Sequence, residues 1–146
     1  MERSEILKKF PSAFPIDKLP EGAKEENISV YRVCETGKIE AASFLPTYLD
    51  VLAHTKENEG DEDIGHYSLS VYEKRQDIKK RYKCLKMRRS PKAVVGKGTT
   101  DCSCGVVQRS KERTGQKDSH IDWWIYEGAE PHKYFEEIDI SKPTEV

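Results

Sequence analysis

The chain has 146 residues, enough for one compact domain and too few for two good cores. Hydrophobic residues make up 36% of it and charged residues 35%, yet seven Tyr, four Phe and two Trp argue against a disordered chain. A formal net charge of −1 excludes a global pull toward nucleic acid or membrane, and no apolar run approaches the roughly 18 residues needed to cross a bilayer.

Glu2–Phe10 is predicted as a short helix with Ile6, Leu7 and Phe10 on one side. The stretch Met1–Phe10 is charged throughout and lacks the apolar core of a signal peptide. The expectation is a cytoplasmic chain in which Cys34, Cys84, Cys102 and Cys104 are reduced thiols. Pro11, Pro15 and Pro20 interrupt regular structure until about Glu26, which predicts an extended arm over the domain. Ile28–Cys34 is short, β-branched and aromatic, and reads as a strand. Gly37 marks a turn. Thr47 and Asp50 form a capping box for a helix ending near His54. Lys56–Asp63 is acidic but lacks the ligand pattern of a calcium loop, so it reads as solvated.

Tyr67–Tyr72 reads as a second strand. Arg75–Arg89 is the best helix, with Ile78, Tyr82 and Leu85 on one stripe and Ser90-Pro91 at its end. Ala93–Val95 reads as a short strand and Val106-Val107 as the start of another, with a loop containing Gly96, Gly98 and Gly105 between them. Arg109–Ser119 reads as a polar, mobile connection, and His120–Tyr126 as an aromatic strand. Pro131 is placed to open a final short helix to about Ile138. The predicted architecture is α+β: one small domain over 27–140, a mostly antiparallel sheet with packed helices, an arm over 1–26 and a tail over 141–146.

Strand alternation supplies the first candidate site. In the aromatic strand Ile121, Trp123 and Ile125 share one face, assigned to the core. His120, Asp122, Trp124 and Tyr126 share the other: a titratable ring, a carboxylate and two stacking planes, suited to a ligand surface. In the second strand Tyr67, Leu69 and Val71 would face the core, and His66, Ser68, Ser70 and Tyr72 would face away. If the two strands are neighbours, His66, Ser68, Ser70, His120 and Trp124 join one polar face. Arg32 sits in an otherwise uncharged strand, and a buried arginine needs an anionic partner from the protein or a ligand.

Tyr31-Arg32 on a first strand, followed by Ser68-Leu69-Ser70 on a later one, resembles the opening of the arginine–serine–glutamate type of ADP-ribosyltransferase. The resemblance covers Tyr31 to Ser70. It implies that Arg32 and Ser68 help to hold NAD and that a later glutamate aids transfer. No clear glutamate strand motif follows; Glu127 and Glu130 lie in a turn beyond the last aromatic strand.

Positive charge supplies the second candidate. The long helix carries a run of Lys and Arg opposed by only Glu73 and Asp77, and Arg81, Arg88 and Arg89 are the phosphate-contact candidates on it. The alternative is a solvated face neutralised by the acidic loop. Lys97, in Gly96-Lys97-Gly98-Thr99-Thr100, is a further candidate, because glycines let backbone amides approach an anion; the sequence is not a Walker A loop. Cys84, Cys102, Cys104 and His120 together supply the ligand types of a zinc site, but their spacing matches no strong pattern and zinc is not expected.

Three readings follow. The leading one is a binding module for a phosphate-bearing ligand, either a nucleotide or nucleic acid, using the basic helix and the aromatic/histidine strand face. The alternatives are an NAD-dependent transferase and a protein-interaction subunit without a small-molecule ligand. None involves a membrane.

Overall fold

The computed structural model describes residues 3–46, 49 and 64–142. The sheet is built by alternation. In β1 (Ser29–Cys34), Val30 and Cys34 enter one core layer while Tyr31 and Val33 enter another on the opposite face. β2 (Leu69–Tyr72), β3 (Val94–Thr99), β4 (Gly105–Arg109), β5 (His120–Ile125) and β6 (Phe135–Ile138) complete six strands in the order β4-β5-β2-β1-β3-β6. Every pairing is antiparallel, and the helices α1 (Arg3–Leu7), α2 (Arg75–Arg88) and α3 (Ser110–Thr114) make the fold α+β, as the sequence predicts.

One face of the sheet buries Val30, Leu69, Val71, Ile121 and Trp123 beneath Phe44 and Phe135. The other face has two separate covers. Ile78 and Leu85 of α2 pack on Tyr31, Val33, Tyr72 and Val95. At the far end Phe10, Phe14 and Leu19 of the arm pack on Val106 and Trp124, and Lys24 bridges to Val107 at the outer edge of β4. The arm thereby protects an edge strand that would otherwise present free backbone donors and acceptors.

Several local expectations are corrected. The segment Gly96–Thr99 is no loop but the continuation of β3, paired to β1 on one side and β6 on the other. Its glycines serve close packing: a Cβ on Gly98 would collide with the Tyr134 carbonyl and the Phe135 ring. The connection Arg109–Ser119 contains α3, closed by Gly115 in the left-handed conformation at φ 77°. Pro131 opens only a 3-10 turn, Pro131–Tyr134, and the chain then extends as β6, because Phe135 must reach the core beside Trp123. The second strand begins at Leu69; His66 and Tyr67 belong to a preceding 3-10 turn, Ile64–Tyr67. The capping box at Thr47 and Asp50, the helix ending near His54, the loop Lys56–Asp63 and residues 143–146 lie outside the described residues.

Gly98→Ala is expected to destabilise the fold by about 2 kcal/mol or more, since neither the Tyr134 backbone nor the Phe135 ring can yield cheaply. Lys97→Ala, exposed on the same strand, should stay within about 1 kcal/mol. Urea denaturation of both variants checks this; equal losses would contradict the packing role.

Candidate functional site

β1 and β2 are the least paired neighbours in the sheet. They meet at Tyr31 and Tyr72 and then part. Arg32, buried at 8% exposure, ties the gap: its Nε donates to the Ser43 carbonyl at 2.8 Å and its Nη1 to the Ser70 carbonyl at 2.9 Å. The guanidinium lies 5.4 Å from the Phe44 ring centroid. Two backbone carbonyls near the opening are thus satisfied by one rigid fork of donors.

α2 roofs this opening and leaves a cavity of about 60 Å³, lined among others by Arg32, Ser68, Ser70, Tyr72, Arg81 and Arg89. That is room for about four water molecules. Arg81, Leu85 and Arg89 stand four residues apart, so they form one line along the helix facing the cleft. Arg89 makes a two-pronged pair with Glu35, at 2.7 and 3.0 Å, and Ser90 donates to the same carboxylate at 2.7 Å. Burial alone would raise the Glu35 pKa. Those hydrogen bonds, with the charges of Arg89 and Arg32, outweigh it and hold the carboxyl below its ordinary value. Arg81 is half-buried and finds no hydrogen-bond or ion-pair partner among the described residues. Among the described lining residues three guanidinium groups, those of Arg32, Arg81 and Arg89, stand beside one carboxylate, Glu35. Tyr72 and Arg81 also line an adjoining cavity of about 270 Å³ with Asp77, Lys80, Cys84 and Asp118.

Behind Ser70 lies a polar network on the strip of sheet between α2 and the arm. β2 and β5 are neighbours, with Ser70 opposite Asp122 and Tyr72 opposite His120. His120 Nε2 lies 2.8 Å from Ser70 Oγ, and its Nδ1 meets Ser110 Oγ. Ser110 donates to Asp122 Oδ2 at 3.0 Å, and Ser68 reaches Asp122 Oδ1 at 2.8 Å. Arg113 donates to Asp122 Oδ2 from Nε at 3.1 Å and from Nη2 at 3.0 Å. Burial is the main cause that lowers the His120 pKa below its ordinary value; Arg113 and Arg81 act with it, and Asp122 and Asp118 oppose it.

The remaining sequence candidates separate. Trp124 and Tyr126 do not form a ligand surface: both are buried beneath the arm, where Trp124 Nε1 donates to the Ile64 carbonyl at 3.0 Å and Tyr126 Oη to Glu25 at 2.8 Å. Asp122 lies inside the polar network at 2% exposure. His66 is buried in its turn against Tyr67 and does not line the cleft. Ser68, Ser70 and His120 do come together, as strand adjacency requires. Arg88 is exposed on the outer face of α2, and Lys97 is exposed on β3, 5.6 Å from the Tyr31 ring. Among the described residues no three His, Cys, Asp or Glu side chains gather to hold a metal ion, and His120 spends both ring nitrogens on serines. Burial pushes the Cys34 thiol up to about 11, which leaves it protonated and unreactive.

Sequence reasoning missed Glu35, Ser110 and Arg113. The last two sit in Ser110–Thr114, a segment with no apolar residue to announce a helix; their spacing of three was the available signal. No protein-family model, curated protein or solved structure matches this chain. No described helix is long and apolar enough to cross a membrane.

The lowered His120 pKa fixes a pH dependence. The unfolded chain takes up a proton near its ordinary value of 6.5, whereas the folded protein resists it. Stability is therefore expected to be full above that pH and to fall as pH drops below it, toward the depressed folded value. His120→Gln should flatten the slope between about pH 7 and pH 5.5, as measured by urea unfolding at each pH. An unchanged slope would contradict a buried neutral histidine.

Proposed function

We propose that this protein binds a phosphate-bearing ligand, with the phosphate seated in the cleft between β1, β2 and α2. The observation that carries the reading is Arg81: a half-buried guanidinium without a hydrogen-bond or ion-pair partner among the described residues, facing a cleft whose described lining also includes Arg32 and Arg89. Desolvated arginines recognise phosphate oxygens well, because the planar fork matches their geometry and the low local dielectric strengthens each bond. The volume suits one phosphate-sized group, and the adjoining cavity gives the rest of a nucleotide somewhere to lie. Lys79, Lys83, Lys86 and Arg88 are exposed on the outer face of α2 and add a longer-range attraction for anions. The aromatic rings of Trp124 and Tyr126, buried beneath the arm, play no part in this binding.

A second reading shares the cleft. Arg32 and Ser68, the pair on which the ADP-ribosyltransferase resemblance turns, both line it. Glu127 and Glu130 are outside the lining, and the carboxylate that does line it, Glu35, is held by Arg89 and Ser90. On the transferase reading Arg32 and Ser68 would contact part of NAD, and the one glutamate among the described lining residues, Glu35, is already engaged by Arg89 and Ser90.

Isothermal titration calorimetry with inorganic phosphate, ADP and NAD at low salt separates the readings. Saturable binding of phosphate and ADP is expected, weakened about tenfold or more by Arg81→Ala. Affinity for NAD well above that for ADP would favour the transferase. No heat with any of the three, or no effect of Arg81→Ala, would overturn the cleft as the phosphate site. A single-stranded oligonucleotide that binds equally well to the Arg81→Ala protein would shift the phosphate site to the outer face of α2.

A further inference from the structure

With His120 neutral, one arrangement of protons makes every contact in the polar network behind the cleft a hydrogen bond. Asp122 is a salt-bridged carboxylate and can only accept. Ser110 has one hydroxyl proton, and its bond to Asp122 Oδ2 uses it. Ser110 must then accept from His120, so the histidine proton sits on Nδ1. A neutral His120 consequently presents a bare Nε2 to Ser70, and Ser70 must donate. Burial favours that neutral form. The outcome is a directed chain, Ser70 to His120 to Ser110 to Asp122, whose open end is a hydroxyl on the wall of the arginine-lined cleft.

This is the arrangement needed to activate a serine: a base within 2.8 Å of the hydroxyl, oriented by a third group that is itself anchored on a buried carboxylate. We propose that Ser70 is a catalytic nucleophile toward a phosphoryl group held in the cleft, with His120 as its general base and Ser110 and Asp122 as positioning residues; the phosphoryl part rests on the anion reading given above.

The substrate class is a phosphate monoester. Ser70 Oγ bonds to phosphorus as the ester P–O bond breaks and its electron pair leaves on the alcohol oxygen. The Ser70 proton passes to His120 Nε2 and from there to the departing oxygen, releasing a neutral alcohol and leaving phosphoserine. A water then repeats the step: its oxygen bonds to phosphorus, its proton goes to His120, the Ser70 O–P bond breaks, and His120 returns the proton to Ser70. Arg81 and Arg32, on the cleft wall, would face the negative charge on the phosphoryl oxygens.

The test uses two probes that fail separately. Diisopropyl fluorophosphate is uncharged, so its reaction with Ser70 requires the nucleophile but not the anion site. The protein is expected to form one adduct, located on Ser70 by peptide mass spectrometry, with fluoride released. His120→Gln should slow labelling by about 100-fold or more, and Ser110→Ala should slow it less. Absence of the adduct, an adduct on another residue, or an unchanged rate in either variant while its circular dichroism stays native would overturn Ser70 as the nucleophile. p-Nitrophenyl phosphate tests the substrate class: release of nitrophenolate, lost in Ser70→Ala and reduced in Arg81→Ala, is expected. Labelling without such release would overturn the phosphate-monoester assignment and leave the nucleophile standing, whereas labelling without phosphate binding in the calorimeter would remove the anion reading alone.

Discussion

The fold depends on how Arg32 spans the opening between β1 and β2. Two well-paired halves of the sheet, β4-β5-β2 and β1-β3-β6, join through the single pair of Tyr31 and Tyr72. Beyond that pair, backbone groups near the opening need other partners. The Arg32 fork provides them, with donors to the Ser70 and Ser43 carbonyls. An apolar residue of similar length could fill the space but would strand two carbonyls, at about 1–3 kcal/mol for each buried group left unmatched. The same arginine brings its charge to the one place where the sheet is open. Structure and electrostatics meet in one residue: the arginine that bridges the two halves also places its guanidinium on the cleft wall.

The second constraint is the strip of buried polar groups between α2 and the arm. Four serine and histidine side chains converge on Asp122 or on each other, with Arg113 neutralising the carboxylate. A core built from such groups is stable only when every proton has a place. That requirement fixes the tautomer of His120 and explains why α3 exists at all: its one short turn delivers Ser110 and Arg113 to Asp122. The Glu35–Arg89–Ser90 cluster does comparable work at the other end of the cleft, fixing the last turn of α2 to the end of β1.

Much of the frame was legible in the sequence. The alternation in Ile28–Cys34 and His120–Tyr126 located β1 and β5, and the Ile78, Tyr82, Leu85 stripe located α2 to within a residue at its end. The juxtaposition of Ser68, Ser70 and His120 was legible too, given that β2 and β5 are neighbours. Periodicity could not say what covers each face. Trp124 and Tyr126 alternate with the core residues, so they read as a free surface; the arm packs over them, and that contact spans more than a hundred residues of sequence in the bond between Tyr126 and Glu25. The glycines of β3 misled for a related reason. They resemble an anion-binding loop locally, but their small size answers a ring from a neighbouring strand. The cleft itself arises from the parting of two strands and from a helix laid across them, and neither leaves a local mark in sequence.

Whether the cleft seats a phosphate is read most directly from a crystal soaked in tungstate, a tetrahedral dianion that stands in for phosphate, with its position located by anomalous scattering. A peak is expected in the cleft, within bonding distance of the Arg81 guanidinium and beside Ser70 Oγ. A peak confined to the lysines on the outer face of α2, or none at all, would contradict a phosphate seat in the cleft.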